Sequence, residues 1–375
     1  MLLRKPWFRI FPVLPLCGMV CLAGCGKFFV PVNPTPPPSG TGNYFYVANA
    51  SATASLAGFA LTTKGMTNTA SSPYALGVAP TTLAVTPNGK YIYAGTVGAI
   101  YGFSVGSNGD LSLLNGGSAL ITNISPSVLR VDPSGNWLIE ADAAPQAMVF
   151  SINTSTGTLT QQGTQLDLST GAPNHIAFTP GNGLVYIALG TGGVQICTFS
   201  PGSGTLAKTG VLLPKAQGGA DNGLAVDPGG KYLFVAETAG NGLRVLSIAA
   251  SGALTEISGS PFQTGLGPTA VLVDSTGGYV YVANRTDGTI SAFALAASGA
   301  LTTVSGSPFA TGAQPVDLAE DPSHTYVGVA CQGGGPDFQV FTIGSATSAA
   351  PGGLTSFAKT TGSNPSGTSA VVAAD

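Results

Sequence analysis

From Tyr279 to Val304 apolar and polar positions follow a simple rhythm. Tyr279, Tyr281 and Ala283 fall on one face and Val280, Val282 and Asn284 on the other, the period of two that a β-strand imposes. A polar turn, Arg285-Thr286-Asp287-Gly288, leads into a second alternating run, Thr289 to Leu295, and Ser298-Gly299 marks another turn before a third, Leu301 to Val304. Upstream, Pro268 to Asp274 supplies one more strand, closed by Ser275-Thr276-Gly277-Gly278. The stretch predicts four short antiparallel strands in about 45 residues, the content of one propeller blade.

The same unit recurs. Its first strand reads PTTLAVTP from Pro80, PSVLRVDP from Pro126, PNHIAFTP from Pro173, DNGLAVDP from Asp221, PTAVLVDS from Pro268 and PVDLAEDP from Pro315, at offsets of 46, 47, 48, 47 and 47 residues. The Asp/Thr-Pro-x-Gly that usually follows is turn chemistry: the side chain caps, Pro presets φ, and Gly takes the left-handed corner. A second strand follows each first one, beginning at Tyr91, Trp137, Val185, Tyr232, Tyr279 and Tyr326. That makes six complete units. Asn43 to Asn49 begins at a second strand, and Pro365 to Ala373 is a first strand with nothing after it. The expected fold is all-β: a seven-bladed β-propeller over residues 43–375, closed by pairing of the C-terminal strand with the N-terminal blade, so that no edge is left open.

Residues 1–25 stand apart. Arg4, Lys5 and Arg9 precede an apolar run broken by Pro12 and Pro15, too short for a membrane span, and Leu22-Ala23-Gly24-Cys25 resembles a bacterial lipobox. A lipoprotein signal peptide with lipidation at Cys25 is expected. Residues 26–42, with PVNPTPPPSGTG, form a Pro-rich tether in extended polyproline II. The expected location is the cell envelope, membrane-anchored through the N-terminal lipid and facing the periplasm or the outside.

Removing residues 1–25 takes away three basic residues and no acidic one, which moves the formal net charge from −3 to −6 and argues against nucleic acid as a partner. Of five cysteines, Cys197 and Cys331 remain in the propeller, each within a strand-like run, and are expected as free buried thiols. A monomer without cofactor is expected.

YVYVANRTDGTISAF resembles the repeats of the seven-bladed lactonase family, which includes 6-phosphogluconolactonases and fungal muconate cycloisomerases, and is similar to YVTN-type surface propellers. The likeness covers nearly all of residues 43–375. It implies a polar site at one mouth of the central channel. Asn284-Arg285 matches the family's Asn-Arg after a second strand, and Glu237 matches its Glu at the end of the preceding blade's second strand. Asp221-Asn222-Gly223 departs from the family's Pro-Arg-His. Pro173-Asn174-His175 keeps one histidine of His-x-His, and Ala188-Leu189-Gly190-Thr191-Gly192 lacks the aspartates of Asp-Leu-Gly-x-Asp.

Loops entering first strands and leaving second strands share one face of a propeller. Asn174, His175, Asp221, Asn222, Asn284, Arg285, Asp287 and Asp317 are therefore expected on a common rim with Glu237, Glu140 and Asp142. Lactone hydrolysis needs a base to activate water and a cation for the oxyanion. The resemblance points to Glu237 or His175 as base and Arg285 as electrophile, with Asn174, Asp221, Asn222, Asn284, Asp287 and Asp317 binding the ligand. A divalent cation on the rim carboxylates lacks an EF-type loop or a His-rich set, so no metal site is expected. Two readings stand: a hydrolase acting on a sugar lactone, and a non-catalytic propeller holding a glycan, peptide or protein partner. Phosphorylated sugars call for a more basic pocket.

Overall fold

In the computed structural model the described residues are 42–51, 54–168, 170–215, 219–240, 242–360 and 367–374. The signal peptide, Cys25 and all of the tether except Gly42 lie outside them, as does the expected strand start at Pro365. What is described forms seven antiparallel sheets of four successive strands, with a short fifth strand added in four of them. This is the expected seven-bladed propeller.

The first strands of blades one to four, six and seven line the central channel. In blades two to seven the first strands are Pro80–Val85, Pro126–Val131, His175–Phe178, Asp221–Val226, Pro268–Val273 and Ala313–Glu320. Their partners are the second strands Tyr91–Thr96, Trp137–Asp142, Leu184–Ala188, Tyr232–Glu237, Tyr279–Asn284 and Tyr326–Gly334. Blade one borrows its first strand from the far end of the chain. Thr368–Ala374 pairs antiparallel with Tyr44–Asn49, in a register that sets Tyr44 opposite Ala374 and Tyr46 opposite Val372.

The core is divided as the repeat divides the sequence. Seven apolar clusters lie between successive blades, blade seven against blade one included. Both faces of every second strand are buried, which is why these strands read YVYVAN rather than as an alternation of apolar and charged residues. Aromatic residues of these strands also latch neighbouring blades. The hydroxyls of Tyr46, Tyr93 and Tyr281 donate to the carbonyls of Gly109, Gly157 and Gly352 in the next blade, at 2.7, 3.0 and 2.9 Å. Tyr186, the blade-four equivalent, is equally buried but has no partner for its hydroxyl among the described residues.

The Asp-Pro-x-Gly corners form as read. Asp132 Oδ1 accepts from the amides of Asn136 and Trp137 at 3.0 and 2.8 Å, and Gly135 sits at φ 73°. Cys197 and Cys331 are free and fully buried, and burial pushes their thiols up to about 12 and about 11. They belong to the core.

Candidate functional site

The strand register brings the starts of the first strands and the ends of the second strands to one face. His175 lies opposite Ala188, Asp221 opposite Glu237, Pro268 opposite Asn284 and Asp317 opposite Ala330. On that face the polar residues separate into a sealed cluster, an interblade belt, a rim and a channel lining.

The sealed cluster belongs to blade five. Asp221 is 0% and Glu237 2% exposed, with Arg244 from the adjacent strand at 6%. Arg244 Nη1 reaches Glu237 Oε1 at 3.2 Å and donates to Pro214 O at 3.0 Å, while Nη2 reaches Glu256 Oε2 at 3.2 Å. Asp221 faces Glu237 across the ladder, and two carboxyls bond to each other only when one holds a proton. Burial first, then the Glu237 charge, lifts the Asp221 carboxyl well above the ordinary carboxylate range, while Arg244 and Lys215 oppose the rise. Glu237 was expected near Arg285 at the mouth. The guanidinium it meets is Arg244, because Glu237 closes its strand pointing into the sheet stack.

The belt joins first strands around the ring. Ser369 Oγ donates to Pro80 O at 2.9 Å, Thr81 Oγ1 to Pro126 O at 2.8 Å and Thr269 Oγ1 to Pro315 O at 3.2 Å. Asn174 and Asn222 fill the same role. Asn174 Nδ2 donates to Asn222 Oδ1 at 2.6 Å, Asn222 Nδ2 to Thr238 Oγ1, and Thr238 Oγ1 to Pro268 O at 2.8 Å. Asn222 thus occupies the position of the family's arginine as a link between blades.

The rim lies between blades six and seven. Arg285 Nη2 donates to Gln314 Oε1 at 3.2 Å and to Gln332 Oε1, beside a shallow groove that Asp287 also lines. Asp287 Oδ2 accepts from Leu266 N at 2.7 Å. Asn284 is fully buried and donates to Thr289 Oγ1 and Ser291 Oγ at 3.0 and 2.9 Å, so it shapes the turn under Arg285. Two further residues expected on the rim are placed otherwise. Asp142 caps its own loops, accepting from the amides of Ser125 and Ala144 at 2.9 and 3.0 Å. Glu140 is 0% exposed with neither oxygen partnered, and burial, then Asp142, pushes it up to about 8.

The channel lining holds the remaining charges. A cavity of about 340 Å³ is lined by Arg130, His175, Asp317 and Glu320 among hydroxyl-bearing and small apolar residues. Asp317 was expected on the rim. Register shifts on either side of Pro315 turn it inward, where Oδ2 accepts from Val371 N and Oδ1 from Leu318 N, each at 2.9 Å. Burial outweighs these bonds and the pull of Arg130, and lifts Asp317 to about 6. Burial, aided by Arg130, lowers His175 to about 3, so the ring is neutral at neutral pH; its Nδ1 is buried without a partner.

Arg130 has no hydrogen bond or ion pair to a described residue, yet it feels the charges of Asp317 and His175. Protein surrounds it on all sides, but the hollow channel leaves its side chain accessible. It also lines a second cavity of about 300 Å³ with Pro87 and Asp132 at the opposite end of the strands, so it stands at the waist of the channel. The sequence carried a signal for it. The fifth position of the six first-strand motifs is Ala84, Arg130, Ala177, Ala225, Leu272 and Ala319, and Arg130 is the one lysine or arginine in any of these motifs.

Of the three residues expected to act together, His175 therefore lines the channel, Glu237 lies in the sealed cluster and Arg285 is on the rim. Among the described residues no group of three or more His, Cys, Asp and Glu gathers as metal ligands.

Comparison with solved structures supports the architecture at low identity. A Bacteroides uniformis protein described as a candidate 6-phosphogluconolactonase superposes with a TM-score of 0.72 at 16% identity, covering 89% of this chain and 100% of its own. A Lactobacillus plantarum protein gives 0.72 at 20%, covering 89% and 99%. The periplasmic gluconolactonase of Pseudomonas aeruginosa gives 0.66 at 17%, again covering 89% and 99%. No curated protein matches the sequence. The family model for lactonases with a seven-bladed β-propeller matches residues 44–361, the greater part of the chain, and the protein belongs to that family.

Proposed function

We propose that the protein is an exported, lipid-anchored hydrolase that opens a sugar lactone in the upper channel. The observation that carries this reading is the shared cavity of His175, Arg130 and Asp317, a neutral imidazole, a guanidinium without a hydrogen bond to any described residue and a carboxylate. In this reading His175 or Asp317 takes a proton from the attacking water, and Arg130 stabilises the oxyanion at the former carbonyl. Arg285 guides the substrate from the rim. Glu237 acts at a distance, holding blade five's first strand through Asp221. The basic start, the lipobox-like Leu22-Ala23-Gly24-Cys25 and the Pro-rich segment support export and acylation. The structural relative from Pseudomonas aeruginosa is itself periplasmic.

One observation favours the alternative, a non-catalytic binding propeller at the cell surface: Asn222, in place of the family's arginine, is used up between blades. Lactone hydrolysis by the purified protein across several sugar lactones separates the two. The hydrolase reading expects turnover that falls by about 100-fold or more in Arg130→Met and in at least one of His175→Ala and Asp317→Asn, at little cost in stability. Wild-type protein that opens no lactone leaves the binding reading. For the anchor, Cys25→Ser should release the protein from the membrane fraction and abolish acylation; a variant that still fractionates with membranes without acyl chains sinks that part.

A further inference from the structure

The charge inventory of the channel is lopsided in a specific way. Arg130 is the one lysine or arginine in the lining of the larger cavity, and its donors meet no acceptor among the described residues. A guanidinium offers a planar fork matched to two oxygens of one group. Asp317 is near enough to feel it but directs its hydrogen bonds to Val371 N and Leu318 N instead. An unpaired fork in a hollow site is a place for an anion that comes from outside.

The surroundings narrow the class. Asp317 lines the cavity, and so does Glu320, whose oxygens accept from Ser275 N and Oγ at 2.8 and 3.1 Å with His324 Nδ1 at 3.6 Å, so a multiply charged anion meets two acidic side chains and one arginine. A single carboxylate does not carry that burden. Ser127, Thr82 and Asn174 line the same space and supply polar contacts for a hydroxylated body. Its size, about 340 Å³, fits a compact ligand of six or so carbons.

We propose that Arg130 is the anchor of a binding site for a small hydroxylated monocarboxylate, a sugar acid, held in the channel with its carboxylate on the guanidinium. The site is argued from the channel alone and stands whether or not a lactone is opened there. Binding brings a second carboxylate near Asp317. The titratable groups that line the cavity with Asp317 are Arg130, His175 and Glu320; Arg130 is the charge Asp317 feels, and His175 is neutral, so Arg130 cannot fully offset both anions. Asp317 therefore takes up a proton as the ligand binds. Its carboxyl titrates at about 6 in the empty site and higher in the filled one. Affinity is then greatest below that value and declines as pH rises through the filled-site value.

Calorimetry on the full-length protein in detergent tests this with D-gluconate, acetate and inorganic phosphate as probes. Gluconate should bind, acetate more weakly and phosphate least. Arg130→Met should weaken gluconate by about tenfold or more, and Arg130→Lys by less, with thermal midpoints unchanged. Wild type should bind gluconate more tightly at about pH 5.5 than at about pH 8 with net proton uptake, and Asp317→Asn should bind without that pH dependence. Gluconate binding that survives Arg130→Met, phosphate binding equal to gluconate, or no binding at all overturns the proposal. Gluconate binding lost in Arg130→Met by a protein that hydrolyses no lactone leaves this site standing and removes only the hydrolase reading.

Discussion

Two clusters on the same half of the propeller use the same residue types to opposite ends. In blade five, Arg244 is enclosed by acceptors: Nη1 reaches Glu237 and Nη2 reaches Glu256, each at 3.2 Å, Nε donates to Glu256 Oε1 at 3.4 Å, and Nη1 also donates to the Pro214 carbonyl, with Asp221 buried beside them. In the channel, Arg130, Asp317 and His175 share a cavity without a hydrogen bond among them. The difference lies in where the donors point. A guanidinium enclosed by acceptors holds strands together, whereas one facing a hollow is available to a ligand. Family resemblance alone directs attention to Glu237, which is in the closed cluster.

The largest effect that separates the two clusters is on stability. Arg244→Met leaves Asp221 and Glu237 buried without their cation, and breaking a buried pair in this way costs about 3–5 kcal/mol. Arg130→Met removes a charge that binds no described residue, and should lie within about 1 kcal/mol of wild type. Urea unfolding of the two variants measures both. Equal losses would erase the distinction between a structural cluster and an open site.

Glu140 sharpens the same contrast, because its carboxylate oxygens meet no hydrogen-bond partner among the described residues. Its carboxyl is 0% exposed with both oxygens unpaired, and it is raised from 4.5 to about 8, chiefly by burial. A carboxyl whose folded-state pKa exceeds its unfolded value destabilises the fold progressively as pH rises from about 4.5 toward about 8, after which the loss is constant. Glu140→Met, which matches the neighbouring Met148 in chemistry, should therefore be more stable than wild type. Its advantage should grow by roughly 3 kcal/mol between about pH 5 and pH 8. An advantage that stays flat across that range would mean that Glu140 has found a partner.

These residues also show what was legible in the sequence. The blades were, because a repeat of 46 to 48 residues with Pro opening five of six first strands and an Asp or Thr turn closing each leaves few alternatives. The face on which Glu237 and Arg285 emerge was legible from strand register. The direction of each side chain at a strand end was not. Irregular pairing beside Pro315 and between Asp221 and Leu224 decides whether a carboxylate faces channel, rim or sheet, and such shifts leave no mark in the alternation of residues. Arg130 was legible in principle as a charge in a column of Ala and Leu. Its position hides that signal, because rim loops, not strand interiors, are where polar residues usually mark function.

At the smallest scale the contrast between completed and open polar groups reduces to one oxygen atom. Tyr281 and Tyr186 occupy the same position in blades six and four, and both are 0% exposed. The Tyr281 hydroxyl donates to Gly352 O at 2.9 Å, whereas the Tyr186 hydroxyl has no partner. Tyr281→Phe deletes a buried bond and strands the Gly352 carbonyl, which should cost about 1–1.5 kcal/mol. Tyr186→Phe removes only an unpaired hydroxyl and should be neutral or slightly stabilising, because the desolvation penalty of that group disappears with it. Both rings keep their apolar packing, so the two variants differ in that hydrogen bond and little else. Matched urea titrations should place Tyr281→Phe below wild type and Tyr186→Phe at or above it. If the two lose stability equally, the latch contributes nothing, and the tyrosines hold the blades together through their rings alone.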